Sequence, residues 1–213
     1  MAIKLLLYGS YFSVLVPILL LLAKKQNLKV PFIQVLFVLM IAGTISDLLG
    51  YILIKTGRSN TIVNNIFFIV QFFLLSYFYY LLLDNKKLVY AALVLFTGSF
   101  IVNTVYIQPF TEYQSWSRIA GGILLISYAI ICFRQTLTTP LKDEGLDEML
   151  MWINIAVMFY FGFSMYLFAS TNYIFKNESA DVAILAWGFY NFVNIVKNVL
   201  FATGLYYAGR KAG

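Results

Sequence analysis

Long apolar runs broken by short polar stretches recur along the whole chain, and most runs reach about twenty residues. A helix rising about 1.5 Å per residue crosses the ~30 Å hydrocarbon layer of a bilayer in that length. The pattern predicts seven spanning helices, over residues 5–23, 30–54, 62–83, 88–106, 116–133, 149–171 and 182–208. A transmembrane β-barrel would need strands with alternating apolar and polar positions, and no such alternation occurs. Most connections are short, so consecutive helices should be antiparallel neighbours. No linker or change of composition divides residues 1–213, so the expected fold class is all-α: a single polytopic transmembrane bundle. The first run meets Lys24-Lys25 directly and lacks an A-x-A cleavage signal, so it reads as a retained span. Pro17 lies within it and predicts a kink.

Composition sharpens this picture. Of 213 residues, 62% are hydrophobic and 11% charged, whereas soluble domains run at about 45–50% and 25%. The net charge of +6 fits topology signals and contact with anionic lipid better than binding to nucleic acid. With the N-terminus outside, nine basic residues fall on cytoplasmic segments (Lys24, Lys25, Lys29, Lys86, Lys87, Arg134, Lys142, Arg210, Lys211) against five outside (Lys4, Lys55, Arg58, Arg118, Lys176). The balance predicts a cytoplasmic C-terminus. Tyr79, Tyr80, Trp116, Tyr206 and Tyr207 fall near span ends, as an interfacial aromatic belt requires. A single cysteine, Cys132, and no histidine leave no internal disulfide and none of the usual zinc, haem or histidine-relay chemistry. No cofactor or metal is expected, and no catalytic residue is assigned.

Charged groups inside hydrocarbon cost about 2.5–3.5 kcal/mol each on insertion scales, which draws attention to Asp47 and Lys197. Asp47 belongs to Thr44-x-x-Asp47-x-x-x-Tyr51, whose spacing puts the three side chains on one helix face. Trp187, Asn191, Asn194 and Asn198 form a stripe on the last helix with Lys197 on its flank, and Asn64 and Gln71 sit two turns apart on the third. Two accounts are open. Amides can join helices by hydrogen bonds while Lys197 reaches towards water. Alternatively, Asp47 and Lys197 face one another across a polar pocket, roughly 10 Å apart along the membrane normal by helix rise. Gly43, Gly50, Gly121 and Gly122 suit close helix approach.

The final-helix string from Tyr190 to Phe201 is similar to that of the microbial rhodopsins, where a mid-helix lysine carries retinal. Those proteins place a carboxylate four residues before the lysine, where this chain has Val193, and residues 64–83 contain no arginine or acid to serve a counterion. Across most of its length the chain resembles a group of small seven-helix inner-membrane proteins of Bacteroidetes-type bacteria. The likeness rests on Ser46-Asp47-Leu48-Leu49-Gly50-Tyr51, Asn65-Ile66-Phe67-Phe68-Ile69-Val70-Gln71-Phe72, Tyr160-Phe161-Gly162 and the asparagine-rich last helix. Members often carry Glu where this chain has Gln71. The resemblance implies a bacterial cytoplasmic membrane and work beside signalling or envelope machinery.

These features point first to a non-enzymatic sensor, receptor-like module or accessory subunit in contact with membrane lipids and with another membrane protein or a second copy. Its pocket would comprise Thr44, Asp47, Tyr51, Asn64, Gln71, Asn191, Asn194, Lys197 and Asn198. A transporter or channel using the same polar positions is the alternative, and an intramembrane enzyme or retinal-binding protein comes third.

Overall fold

A computed structural model describes residues 2–141 and 143–208. Lys142, Arg210 and Lys211 of the charge count lie outside the described residues. The chain forms α1 (Ala2–Ser13), α2 (Leu15–Ala23), α3 (Pro31–Lys55), α4 (Thr61–Leu82), α5 (Lys86–Val102), α6 (Ser115–Thr138), α7 (Glu144–Asn177) and α8 (Ala180–Tyr207). With α1 and α2 taken as one span, seven helical segments are long and apolar enough to cross a membrane. The break in the first span is at Val14, three residues before Pro17. Proline has no N–H for the Ser13 carbonyl and its ring crowds that oxygen. Ser13 Oγ donates to Ser10 O at 2.8 Å beside the break.

Several helices overrun their apolar runs. The sixth span was expected over 149–171, yet α7 begins at Glu144, where Asp143 caps it by accepting from the Gly145 and Leu146 amides, and continues to Asn177. Ser179 caps α8 likewise by accepting from Val182 N. Hydropathy detects the segment matched to hydrocarbon, whereas a helix stops where its terminal amides find partners. The fourth span is shorter as an α-helix and closes through a π-turn over Asn103–Ile107.

The helices form a ring in which α3 packs on α4, α4 on α6, α6 on α7, α7 on α8, and α8 on both α1 and α2; α5 lies outside, against α4 and α6. The first and last spans run parallel, as the bonds Asn194–Ser10 and Asn198–Ser13 require. The N-terminal end of α1 shares one face of the bundle, the N-terminal face, with connections 56–60, 108–114 and 178–179. Lys176 and Glu112 form an ion pair of 3.1 Å there. At the opposite face Lys24 Nζ donates to Tyr206 O at 2.9 Å, and Gln135 Nε2 donates to Leu82 O at 3.1 Å.

The core is aromatic where α4, α5 and α6 meet. Phe72 and Phe96 stack at 3.7 Å between ring centres, and Gly121 lies directly beneath them: a Cβ there would come within 2.8 Å of Phe68 Cζ and 3.0 Å of Phe96 Cε2. Gly121 is therefore a site of close approach, as its sequence context suggests. At Gly50 and Gly122 a Cβ would make only ordinary contact, and at Gly43 it would meet Phe67 at 3.3 Å. Trp116 and Tyr206 are exposed, in keeping with an interfacial belt. Tyr79 is not part of one. It is fully buried, and its hydroxyl donates to Asn154 Oδ1 at 3.0 Å, because its face of α4 turns into the ring rather than towards the headgroups.

Candidate functional site

Three neighbouring spaces share Asp47 in their walls. The innermost, about 40 Å³, is lined on its polar side by Asp47, Gln71, Tyr160, Tyr190, Asn194, Lys197 and Asn198. That volume accommodates on the order of three waters. Its floor is apolar: Val14, Leu39, Leu75, Val157 and Phe201, all buried. Towards the N-terminal face a vestibule of about 330 Å³ is bounded by Tyr11, Asp47, Asn60, Asn64, Tyr113, Trp187, Tyr190 and Asn191. The third is a groove of about 370 Å³ lined by Tyr8, Tyr11, Phe12, Leu15, Thr44, Asp47, Leu48 and Tyr51. Asp47 and Tyr190 line both the inner cavity and the vestibule and stand between them.

The residues singled out from sequence thus divide among the three spaces. Gln71, Asn194, Lys197 and Asn198 belong to the inner cavity, Asn64 and Asn191 to the vestibule, and Thr44 and Tyr51 to the groove, with Asp47 common to all. Thr44 is the least available for a ligand, since its hydroxyl donates to Met40 O at 2.9 Å in its own helix. Two asparagines also join helices. Asn194 Nδ2 donates to Ser10 Oγ and Asn198 Nδ2 to Ser13 Oγ, each at 2.8 Å, so α8 and α1 are zipped along the inner half of the site. Asn198→Ala should lower unfolding free energy by only about 0.6 kcal/mol, the mean for such bonds in membranes, as measured by denaturation in mixed micelles. A loss several times larger would mean that Asn198 supports more than this bond.

Lys197 turns back along its helix rather than towards the nearer face. Its Nζ donates to Asn194 Oδ1 at 2.5 Å and lies 4.6 Å from the centre of the Tyr160 ring. Among the described residues the ion pair within 4.0 Å is Lys176–Glu112, so Asp47 and Lys197 share a cavity without touching. A low-dielectric space between opposite charges suits a polar guest or bridging water. Tyr160 and Tyr190 complete the wall, their hydroxyls 2.8 Å apart.

Sequence reasoning missed Tyr160, Tyr190, Ser10 and Ser13 as members of the site, because aromatic and serine residues in an apolar run carry no distinguishing spacing. It also read Arg118 only as a topology charge. Arg118 is 6% exposed; its Nη2 donates to Asn64 O at 2.7 Å and to Asn65 Oδ1 at 3.3 Å. The guanidinium stacks over Tyr113, 4.2 Å from the ring centre. Burial pushes the Tyr113 phenol well above its ordinary value, so a neutral ring borders the vestibule. Asn65 Nδ2 donates to Phe110 O and Glu112 O at 2.9 and 2.8 Å, and Asn172 Nδ2 donates to Tyr113 O at 2.9 Å. Connection 108–114 is therefore a fixed rim. Among the described residues no cluster of three His, Cys, Asp or Glu side chains could hold a metal ion.

Comparison finds no family model, no curated protein and no solved structure that matches this chain.

Proposed function

We propose that this chain is a non-enzymatic receptor-like sensor of a bacterial cytoplasmic membrane, with its N-terminus outside and C-terminus inside, which holds a small ligand in the pocket around Asp47. The orientation rests on the sequence count of nine basic residues on cytoplasmic segments against five outside, and the choice of membrane on the resemblance to inner-membrane proteins. One observation carries the reading. Two intramembrane groups of opposite charge line a cavity that has an apolar floor and shares the walls Asp47 and Tyr190 with a vestibule towards the N-terminal face. Intramembrane charges are costly and for that reason mark functional sites, and a pocket ending on packed side chains suits binding better than conduction. Work as a subunit beside a second membrane protein is compatible with this role.

Native mass spectrometry after extraction in mild detergent tests the proposal. The wild-type chain should carry a bound small molecule or lipid whose occupancy falls about tenfold in Asp47→Asn, the equivalent of about 1.4 kcal/mol. An empty wild-type chain, or equal occupancy in the variant, would count against it. Sustained solute flux in proteoliposomes that requires Asp47 and Lys197 would move the reading to transport.

A further inference from the structure

The reading of the Asp47 pocket as a ligand site leaves open what the ligand is and from where it arrives, and the groove beside α1 bears on both. Both α1 and α2 pack along α8, α1 being held there by Ser10–Asn194, and beyond the helix break at Val14 α2 also reaches α3. Ile195 lies against Gly9, where a Cβ would meet it at 3.2 Å. The outcome is a lengthwise cleft between α1 and α3. Its lips, Tyr8, Phe12 and Leu48, are 50%, 64% and 59% exposed on the outer surface of the bundle, which faces acyl chains in a membrane. Among the described residues lining the cleft, Asp47 is the ionisable group other than the tyrosines.

We infer that the ligand is a membrane-dissolved amphiphile, an alkyl chain bearing an ammonium head, which slides in from the bilayer between α1 and α3 and sets its head against the Asp47 carboxylate. Three features select that chemistry. Asp47 makes no hydrogen bond and no ion pair among the described residues, while the nearest cation of the cavity, Lys197, is held by Asn194 and the Tyr160 ring. Tyr11 and Tyr51 meet edge to face at 6.3 Å within the same cleft. Lys55 Nζ already lies 5.2 Å from the centre of the Tyr51 ring, so Tyr11 is the ring left to the ligand; an electron-rich ring beside a carboxylate attracts an ammonium group and repels an anionic head. The remaining lining is apolar, and an alkyl tail passing from acyl chains into it exchanges one hydrocarbon surface for another. The tail contributes residence in the bilayer and hence local concentration, and the head supplies recognition.

The test uses the full chain in lipid nanodiscs with a dodecyltrimethylammonium probe that bears a photoreactive diazirine at the tail end, and a dodecyl sulfate probe of the same design. The ammonium probe should label peptides of α1 and α3 saturably, with unlabelled dodecyltrimethylammonium competing. Labelling should fall about tenfold in Asp47→Asn, consistent with loss of the charge contact, and by a similar factor in Leu48→Trp. The second substitution fills the cleft from an exposed position and leaves the carboxylate in place, and monodisperse elution of both variants controls for folding. Equal labelling by the sulfate probe, or labelling unchanged in both variants, would overturn the inference. Tetramethylammonium that protects the wild type as well as the tailed probe, in an Asp47-dependent way, would overturn the lateral route while supporting the pocket. Absence of any Asp47-dependent binding, together with no copurifying ligand, would remove both.

Discussion

Arg118→Ala is expected to lower the unfolding free energy by about 3 kcal/mol. The guanidinium is buried without a carboxylate partner; its Nη2 donates to a backbone carbonyl and a side-chain amide, while its Nε has no hydrogen-bond partner among the described residues. Hydrogen bonds to a charged group contribute about 1.5–3 kcal/mol. Stacking on Tyr113, with Phe68 and Phe168 also within 5.5 Å, adds about 1 kcal/mol. Removing the charge relieves its desolvation, but the Asn64 carbonyl is left without this donor and Tyr113 without the cation that fixes it. The rim at 108–114 should loosen first, so limited proteolysis ought to cleave there in the variant and spare it in the wild type. Arg118→Lys should recover less than half of the loss, since a compact ammonium cannot stack flat on Tyr113 while it donates where Nη2 does. Denaturation in mixed micelles measures both. A loss below about 1 kcal/mol for the alanine variant would mean that burial of the cation offsets its bonds.

A second large effect is expected from Gly121→Val. Even a lone Cβ would stand 2.8 Å from Phe68 Cζ and 3.0 Å from Phe96 Cε2, and those rings are locked by the Phe72–Phe96 stack. Overpacking of this kind costs about 1–3 kcal/mol, and the two further methyl groups put the variant at the upper end. Its melting temperature in detergent should fall by several degrees. Gly98, where a Cβ would meet nothing within 4 Å, is the matched control: Gly98→Val should change stability by less than about 1 kcal/mol.

The contrast between these two sites marks what the chain discloses before its structure. Seven spans are legible because apolar runs of bilayer length have few other uses, and the Pro17 break follows from a missing N–H. The polar faces of α3, α4 and α8 are legible too, because helical spacing aligns Asp47 with Tyr51 and Asn64 with Gln71. What spacing lacks is the rotation of one helix against the next. Tyr79 looks interfacial by its place near a helix end, yet its direction turns it into the ring. Arg118 looks like a topology charge by its place near a span start, yet the connection 108–114, held by Asn65 through bonds that span 45 and 47 residues, folds over it. The cleft beside α1 depends on which neighbour α1 chooses, and no residue of α1 announces α8 in advance.

Cysteine accessibility in native membranes tests the pocket most directly, because the native Cys132 is buried and should remain silent. Asn64→Cys and Asn191→Cys should react with a membrane-impermeant methanethiosulfonate applied to the side bearing the N-terminus, while Leu39→Cys and Phe201→Cys stay unmodified from either side. Modification of the two floor positions from the opposite side, or protection of both vestibule positions, would contradict a polar pocket open to one face.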